Sequence, residues 1–543
     1  MTELLVGLLA RKRLVGALAG LLFLVGTAAW LTMPRQEDPS FVDRFATVVV
    51  PFPGADALLV ERRILEPLEE ELATVDDLRE VESTARSGVA VMQLRLGDHV
   101  YDTDATWDEV RRALGDAELP AEAGPLRFDD DIGDPASVVL LVTGSADRLA
   151  LRDAARQLEV ALRQVPGVSR VDWVGDPGME LRVTVDPGEA RRLGIAPERL
   201  AALLSSRNLT LPGGDLASDG RTIVLRPHTE LADVAELRAT PIALPGGAAV
   251  PLGEVAQVEL SPLSPAPSLV RTNGEPAVGL SVVPTMPRDL VGFGHTLRSA
   301  VAEVDVGGLE VQVFADQPAQ VEERLGELSR SLLMGVLIVA LVLFVAMGPR
   351  LGVVVSSVVP LVAVSTVGVY AAGGGVLHQI SIAALVLALG LLVDNAIVVA
   401  EAVQQHLDEG HPPQEAARRA VRELATPLFT ATGTTLAAFA PMLISSGATA
   451  DFTRAIPVVV VTSLVLSYLA AVAVTLLMAA WALRPAPTSG GRLESLARRL
   501  GGAVTQRPAA VVGGVLVALL ATGSLLPFVA QEFFPLSDQT RVV

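Results

Sequence analysis

The sequence predicts an α+β membrane protein: a bundle of apolar helices carrying one large, water-facing block of mixed helix and strand. Three observations predict it. Uncharged apolar stretches supply enough length for seven membrane spans. The acidity is confined to one region, since residues 34–330 hold 50 Asp/Glu against 28 Arg, while the rest of the chain holds 11 acidic and 14 basic residues. Within that region a strand–helix–strand–strand order occurs twice.

Composition narrows the function classes. At 543 residues the chain exceeds one compact domain. Half of it is hydrophobic, and its mean hydropathy is +0.47. The acidic block argues against nucleic acid as a partner. Cysteine is absent, which removes disulfides, thiolate metal sites and cysteine nucleophiles. Lys12 is the sole lysine, a bias of base composition. Neither a phosphate loop nor a nucleophile elbow occurs, so an enzyme is not expected and ATP is not the visible energy source.

Residues 1–13 form a cytoplasmic N-terminus ending in Arg11, Lys12 and Arg13. The uncharged run that follows, 14–33, is longer than the ~7–15 residue core of a signal peptide and reads as an uncleaved span. The basic triplet stays inside, which sends residue 34 onward outside. Further spans are read at 331–349, 351–372, 379–402, 424–450, 455–483 and 508–530, with Gly373, Gly374, Gly375 and His378 breaking the long run after Leu351. Residues 403–423 read as a cytoplasmic loop. Residues 484–507 carry five arginines against Glu494, with Leu493, Leu496, Ala497 and Leu500 on one helical face, the pattern of a cytoplasmic amphipathic segment lying on membrane lipid. Residues 531–543 resemble the exit from the first span and read as the start of a second, truncated external domain.

The external block opens with strand Phe45–Phe52, helix Ala57–Leu72, strands Val81–Ala85 and Val89–Leu96 around Ser87-Gly88, and helix Asp104–Leu114. This defines a first unit, 34–133. Strand Val138–Thr143, helix Arg148–Val165 and strands Val168–Val174 and Met179–Val185 repeat the order in 134–186. Even the openings match, Pro53-Gly54-Ala55-Asp56 against Gly144-Ser145-Ala146-Asp147. A third run, Val278–Thr285, Asp289–Val304 and Leu309–Phe314, completes the second unit through 266–330. Residues 187–265 are then an insertion with hairpins around Pro212-Gly213-Gly214. Such units are expected to be ferredoxin-like.

The sharpest feature lies in the fourth span, Gly390-Leu391-Leu392-Val393-Asp394-Asn395-Ala396-Ile397-Val398-Val399. A charged Asp near a bilayer centre costs ~2.5–3.5 kcal/mol on insertion scales. Asp394 is therefore expected to switch between a paired, charged state and a neutral one, as a proton carrier does, with Asn395 beside it. The plainer reading is that both residues only glue helices together. Gly390, one turn earlier, leaves room for a neighbouring helix. Elsewhere, Asp129-Asp130-Asp131 reads as a solvated turn and Glu69-Glu70-Glu71 as the wet face of a helix. His99, His228 and His295 show no ligand spacing, and Met92, Met179 and Met286 are too few for a soft-metal relay, so no metal is expected.

The fourth-span motif, with Pro51-Phe52-Pro53-Gly54-Ala55, Thr103-Asp104-Ala105, Leu424-Ala425-Thr426-Pro427 through Pro441, and Phe533-Phe534-Pro535, resembles the resistance–nodulation–division (RND) efflux permeases, in their hydrophobe/amphiphile branch and their N-terminal half. The resemblance covers the whole chain. It implies two periplasmic porter subdomains flanking a docking insertion at 187–265, in the bacterial inner membrane. It implies a homotrimer, a periplasmic adaptor protein and an outer-membrane channel. It implies the proton motive force as the energy source, with no cofactor, and multidrug export by substrate/proton antiport. Asp394 and Asn395 fall at the proton relay, Val139 and Val174 at the substrate-binding surface, and Asp104, Trp107 and Arg111 on the helix lining the trimer pore. Many family pumps have a second Asp where Asn395 stands, and multidrug members often have phenylalanine at Val139 and Val174. The basic partner of the relay lies in the family's second half, so residues 1–543 are expected to need that half, from a longer chain or a second polypeptide. Two alternatives remain: a narrow-substrate lipid or biocide exporter, and a protein-translocation accessory of the SecD/SecF kind. A membrane-anchored sensor gives Asp394 no purpose.

Overall fold

In the computed structural model, the structure describes residues 11–39, 42–130, 136–207, 215–218, 221–224, 233–243, 249–285, 289–485 and 508–525. The expected amphipathic segment beyond residue 485, the chain end at 531–543, Pro212-Gly213-Gly214, Asp131, His228 and Met286 lie outside the described residues.

The chain enters through helix α1, Lys12–Thr32. A four-stranded antiparallel sheet follows, made of β1 (Phe45–Pro51), β2 (Leu78–Arg86), β3 (Val89–Leu96) and β4 (Arg127–Asp129) in the order β2-β3-β1-β4. Two helices cover one face: α2, residues 57–72 with a π turn at Glu61–Leu65, and α3, Thr103–Asp116. Alternation along β1 turns Ala46, Val48 and Val50 inward against Ile64, Leu68, Trp107, Val110 and Leu114. Gly88 makes the β2–β3 turn at φ +82°, where a side chain is disfavoured.

The second sheet uses β5 (Val138–Thr143), α4 (Arg148–Leu162) and β6 (Val168–Val174). An insertion then begins with β7 (Met179–Val185) and contains two small hairpins, β8 (Asp215–Ser218) with β9 (Arg221–Val224) and β10 (Pro241–Ala243) with β11 (Ala249–Pro251). It closes on β12 (Ala256–Pro262). The sheet resumes with β13 (Val270–Thr272), β14 (Glu275–Pro284), α5 (Leu290–Glu303) and β15 (Glu310–Asp316). Its main strands run β6-β14-β5-β15, the same permutation as the first sheet, second-third-first-fourth. One strand departs from the sequence reading. β7 does not pair with β6; it pairs with β12 in full antiparallel register, Met179 to Pro262 through Val185 to Ala256. The two strands thus form the neck of the insertion, whose own core holds Leu200, Leu237, Leu252 and Val258.

The repeated openings do the same local job. Asp56 accepts from Leu59 N at 2.8 Å and Asp147 from Leu149 N at 2.9 Å, so each aspartate caps the first helix of its unit.

Among the described residues, six helices are long and apolar enough to cross a membrane: α1, α6 (Gln317–Met347), α7 (Pro349–Ala372), α8 (Gln379–Asp408), α9 (Pro413–Ile444) and α10 (Ala448–Ala482). A seventh apolar helix, α11, is described over Pro508–Leu525. α6 grows straight out of β15, and the charged stretch 403–423 is mostly helical, since α8 runs on to Asp408 and α9 starts at Pro413. The chain leaving α1 is tied to the outer helix ends. Leu377 N donates to Pro34 O at 2.9 Å, Leu290 N donates to Arg35 O at 2.8 Å, and Arg324 pairs with Glu37 at 2.8 Å.

α1 and α7 cross through glycines. A Cβ on Gly26 would lie 2.0 Å from Val364 O, and one on Gly368 would lie 2.9 Å from Gly26 Cα. Backbone meets backbone there, and no side chain can yield. Gly26→Ala is expected to cost about 1–3 kcal/mol by forcing the helices apart, whereas Gly16→Ala, with open space around it, is expected to be neutral. Thermal melts of the purified variants check this, and equal melting temperatures refute the crossing.

Candidate functional site

Asp394 is the sixteenth of the 30 residues of α8, close to its midpoint. The helix is built for this register. His378 caps it, with its side chain accepting from Ser381 N at 3.2 Å while Ser381 Oγ accepts from His378 N at 3.0 Å. Burial pushes the His378 imidazole down to about 4, so the cap stays neutral. Leu385, Ala388, Leu389, Leu392, Ala396 and Val399 face inward, packing against α7 and α10.

Two neighbouring residues leave the helix in different directions. Asn395 is buried and its Nδ2 donates to Thr432 Oγ1 of α9 at 3.4 Å. Asp394 is exposed. It belongs to a stripe of open positions, Val386, Gly390, Asp394, Val398, Glu401 and Gln405, spaced three or four residues apart along one edge of α8. A Cβ on Gly390 would meet nothing within 4 Å. The carboxylate therefore stands at mid-helix on a bare face that has room for another helix at Gly390. Other polar groups behind it are engaged: Ser467 Oγ donates to Leu392 O at 2.8 Å, and the Tyr468 hydroxyl donates to Ala425 O at 3.2 Å. Thr432, Ser467 and Tyr468 were not singled out in the sequence; the run Thr430-Ala431-Thr432-Gly433-Thr434-Thr435, polar within an apolar helix, was the available signal.

The other sequence candidates lie elsewhere. Val139 and Val174 flank β14 on the same sheet face, opposite Ser281 and Gly279 respectively. Helices α4 and α5 pack on the other face, where Val138, Leu140 and Val142 point. Gly279 brings its neighbours together, because a Cβ there would lie 2.9 Å from Leu141 Cδ2 and 3.1 Å from Val174 Cβ. The result is a small aliphatic surface on the helix-free face.

On α3, Asp104 and Arg111 are exposed, but Trp107 is not available to a pore. It is buried at 2% exposure and meets Phe128 edge-on at 5.7 Å. Thr106, Trp107, Val110, Ala113 and Leu114 form the core-facing stripe of this amphipathic helix, so Trp107 sits on it with its side chain towards the sheet. Arg111 pairs with Asp108 at 2.7 Å and with Asp130, so the acidic turn supports a cation side chain of the chain itself.

A family model described as the AcrB/AcrD/AcrF family matches residues 7–543. The chain is similar to the multidrug resistance protein MdtC of Cronobacter sakazakii, 25% identical over 545 residues that cover 96% of this chain and 52% of that protein. It is similar to MdtC of Escherichia coli, 25% identical over 490 residues, covering 88% and 47%. It is also similar to the toluene efflux pump membrane transporter TtgB of Pseudomonas putida, 27% identical over 490 residues, covering 86% and 46%. The chain thus spans about half the length of the curated relatives it matches.

Proposed function

The chain belongs to the AcrB/AcrD/AcrF family of RND efflux permeases, and on that premise we propose that it is the N-terminal half of a proton-driven exporter of hydrophobic or amphiphilic small molecules. The observation that carries the reading is Asp394, a carboxylate at the midpoint of an apolar helix and on its open face. Ionised in hydrocarbon it is costly, and neutral it is cheap. A basic group brought against that face holds the charged state, and a proton releases it. Each state favours a different packing of α8 against what covers it, which converts proton entry into movement of the external block.

In this reading α1 and α6–α11 lie in the bacterial inner membrane, with both sheets in the periplasm. The sheets are ferredoxin-like porter subdomains, 34–133 and 134–186 with 266–330, and 187–265 is the docking insertion. Three protomers meet around α3, with Asp104 and Arg111 as its exposed pore-side residues. A periplasmic adaptor and an outer-membrane channel complete the path. The small aliphatic surface of Val139 and Val174 supports a narrower, non-aromatic cargo than a broad drug pocket takes.

The test is energetic. In cells carrying the complete protomer, efflux of a fluorescent amphiphile is expected to stop when a protonophore collapses the proton gradient. It is expected to persist when ATP is depleted and the gradient is kept. Efflux that survives the protonophore overturns the proposal.

A further inference from the structure

The turn between α8 and α9 gathers a second set of titratable side chains, independent of the proton-carrier reading. α8 ends at Asp408, with Glu409 as its cap, and the chain reverses at Gly410, whose φ of +89° is the left-handed conformation that closes helices. His411 N donates to His406 O at 3.1 Å, which folds residue 411 back over the last turn of α8. One side-chain nitrogen or oxygen from each of His406, Glu409 and His411 then lies within 4.8 Å of the others. His406 Nδ1 is 3.1 Å from Glu409 Oε2, and His411 Nδ1 is 3.8 Å from the same oxygen and 3.1 Å from His406 O, a backbone contact that an ion bound at this nitrogen replaces.

These spacings suit a metal ion. Ligand atoms ~2.0–2.2 Å from a tetrahedral zinc ion stand roughly 3.3–3.6 Å apart. The surroundings suit it as well. The far nitrogen of His406, Nε2, faces Glu423 Oε2 of α9 at 3.3 Å. A carboxylate on the distal nitrogen fixes the orientation of a ligating imidazole and raises its basicity. Gln405 Nε2 holds the other Glu409 oxygen at 3.4 Å. His406 is mostly covered, while Glu409 and His411 are more open, leaving an entry path and a place for a water ligand. Two imidazoles with one carboxylate select a borderline transition metal over calcium or magnesium, which take oxygen ligands.

We propose that His406, Glu409 and His411 form a zinc-type divalent metal site, with Glu423 positioning His406. The ion clamps the turn after α8 onto the last turn of that helix. The clamp sits roughly 18 Å along α8 from Asp394, at 1.5 Å per residue.

The experiment uses the purified full chain without a histidine tag, titrated with zinc ion in competition with a chromogenic chelator. One zinc ion per chain is expected. Glu423→Gln is expected to weaken binding about 10–100-fold, and Glu409→Gln or His411→Ala at least as much. Glu409 lies at an exposed turn, so Glu409→Gln reads the site even where a histidine variant folds poorly. Cobalt(II) in the wild-type chain is expected to give the intense visible absorption of a four-coordinate ion. Zinc uptake unchanged by Glu409→Gln and His411→Ala, or cobalt giving only the weak spectrum of the aqueous ion, overturns the proposal.

Discussion

Asp394→Asn is expected to reduce export by the complete protomer to the background of cells lacking the pump, with expression and assembly unchanged. The substitution keeps the volume and removes the only titratable group at the midpoint of α8. Folding should tolerate it, because Asp394 is exposed in this chain and the buried contact beside it, Asn395 Nδ2 to Thr432 Oγ1, is untouched. A neutral amide cannot alternate between charged and uncharged states, so the packing of α8 loses its link to the proton gradient. Asn395→Asp is the instructive companion. The Thr432 hydroxyl can donate to the new carboxyl oxygen, and export is expected to persist. Substrate efflux at matched expression is the quantity to measure. Undiminished efflux in Asp394→Asn would mean that the carboxylate is helix glue and that protons travel elsewhere.

How much of this was legible in the sequence depends on the range of the interaction that decides it. Asp394 was legible because one charge at the edge of a 43-residue uncharged run needs no partner to be conspicuous. Its neighbour's partner was not, since Thr432 lies 37 residues away and meets Asn395 only through the pairing of α8 with α9. The two strand–helix–strand–strand runs were visible as patterns, but β7 shows why pattern alone does not assign a strand to a sheet. Met179-Glu180-Leu181-Arg182-Val183-Thr184-Val185 alternates correctly whichever neighbour it takes, and pairing with β12 is set by closure of the insertion. Trp107 was decidable locally, because its spacing from Val110 and Leu114 places it on the apolar stripe of α3. The stretch 403–423 misled for another reason: charge marks where a helix leaves hydrocarbon, not where it ends. The same stretch hid the histidine–glutamate cluster, which needs Gly410 to fold residue 411 back.

Asp451→Ala is expected to destabilise the chain by about 3–5 kcal/mol, the cost of leaving a buried charge without its partner. Arg44 leads into β1 of the first sheet, and Asp451 lies in the first turns of α10, 407 residues later. Their side chains are 3% and 8% exposed and meet at 3.1 Å, Nη1 to Oδ2. Arg44 Nε also donates to Val100 O at 2.9 Å, and the guanidinium lies 5.3 Å from the Tyr101 ring centroid. Its Nη2 is buried without a partner, and losing Asp451 leaves the guanidinium only neutral backbone acceptors, Val42 O and Val100 O. Lysine cannot substitute, having a point charge where the site uses a planar fork. The double replacement Arg44→Met with Asp451→Leu removes both charges and is expected to recover most of the loss, since hydrophobic pairs of similar volume replace buried ion pairs at little cost. Melting temperatures of Arg44→Met, Asp451→Leu, the double replacement and the wild type close the cycle. The pair joins the sheet block to the membrane helices, so in the complete pump Asp451→Ala should also lower export per folded molecule. A wild-type melting temperature in Asp451→Ala would show that the ion pair holds nothing, and the junction would then rest on its other contacts, those of Glu37 and Leu377 among them.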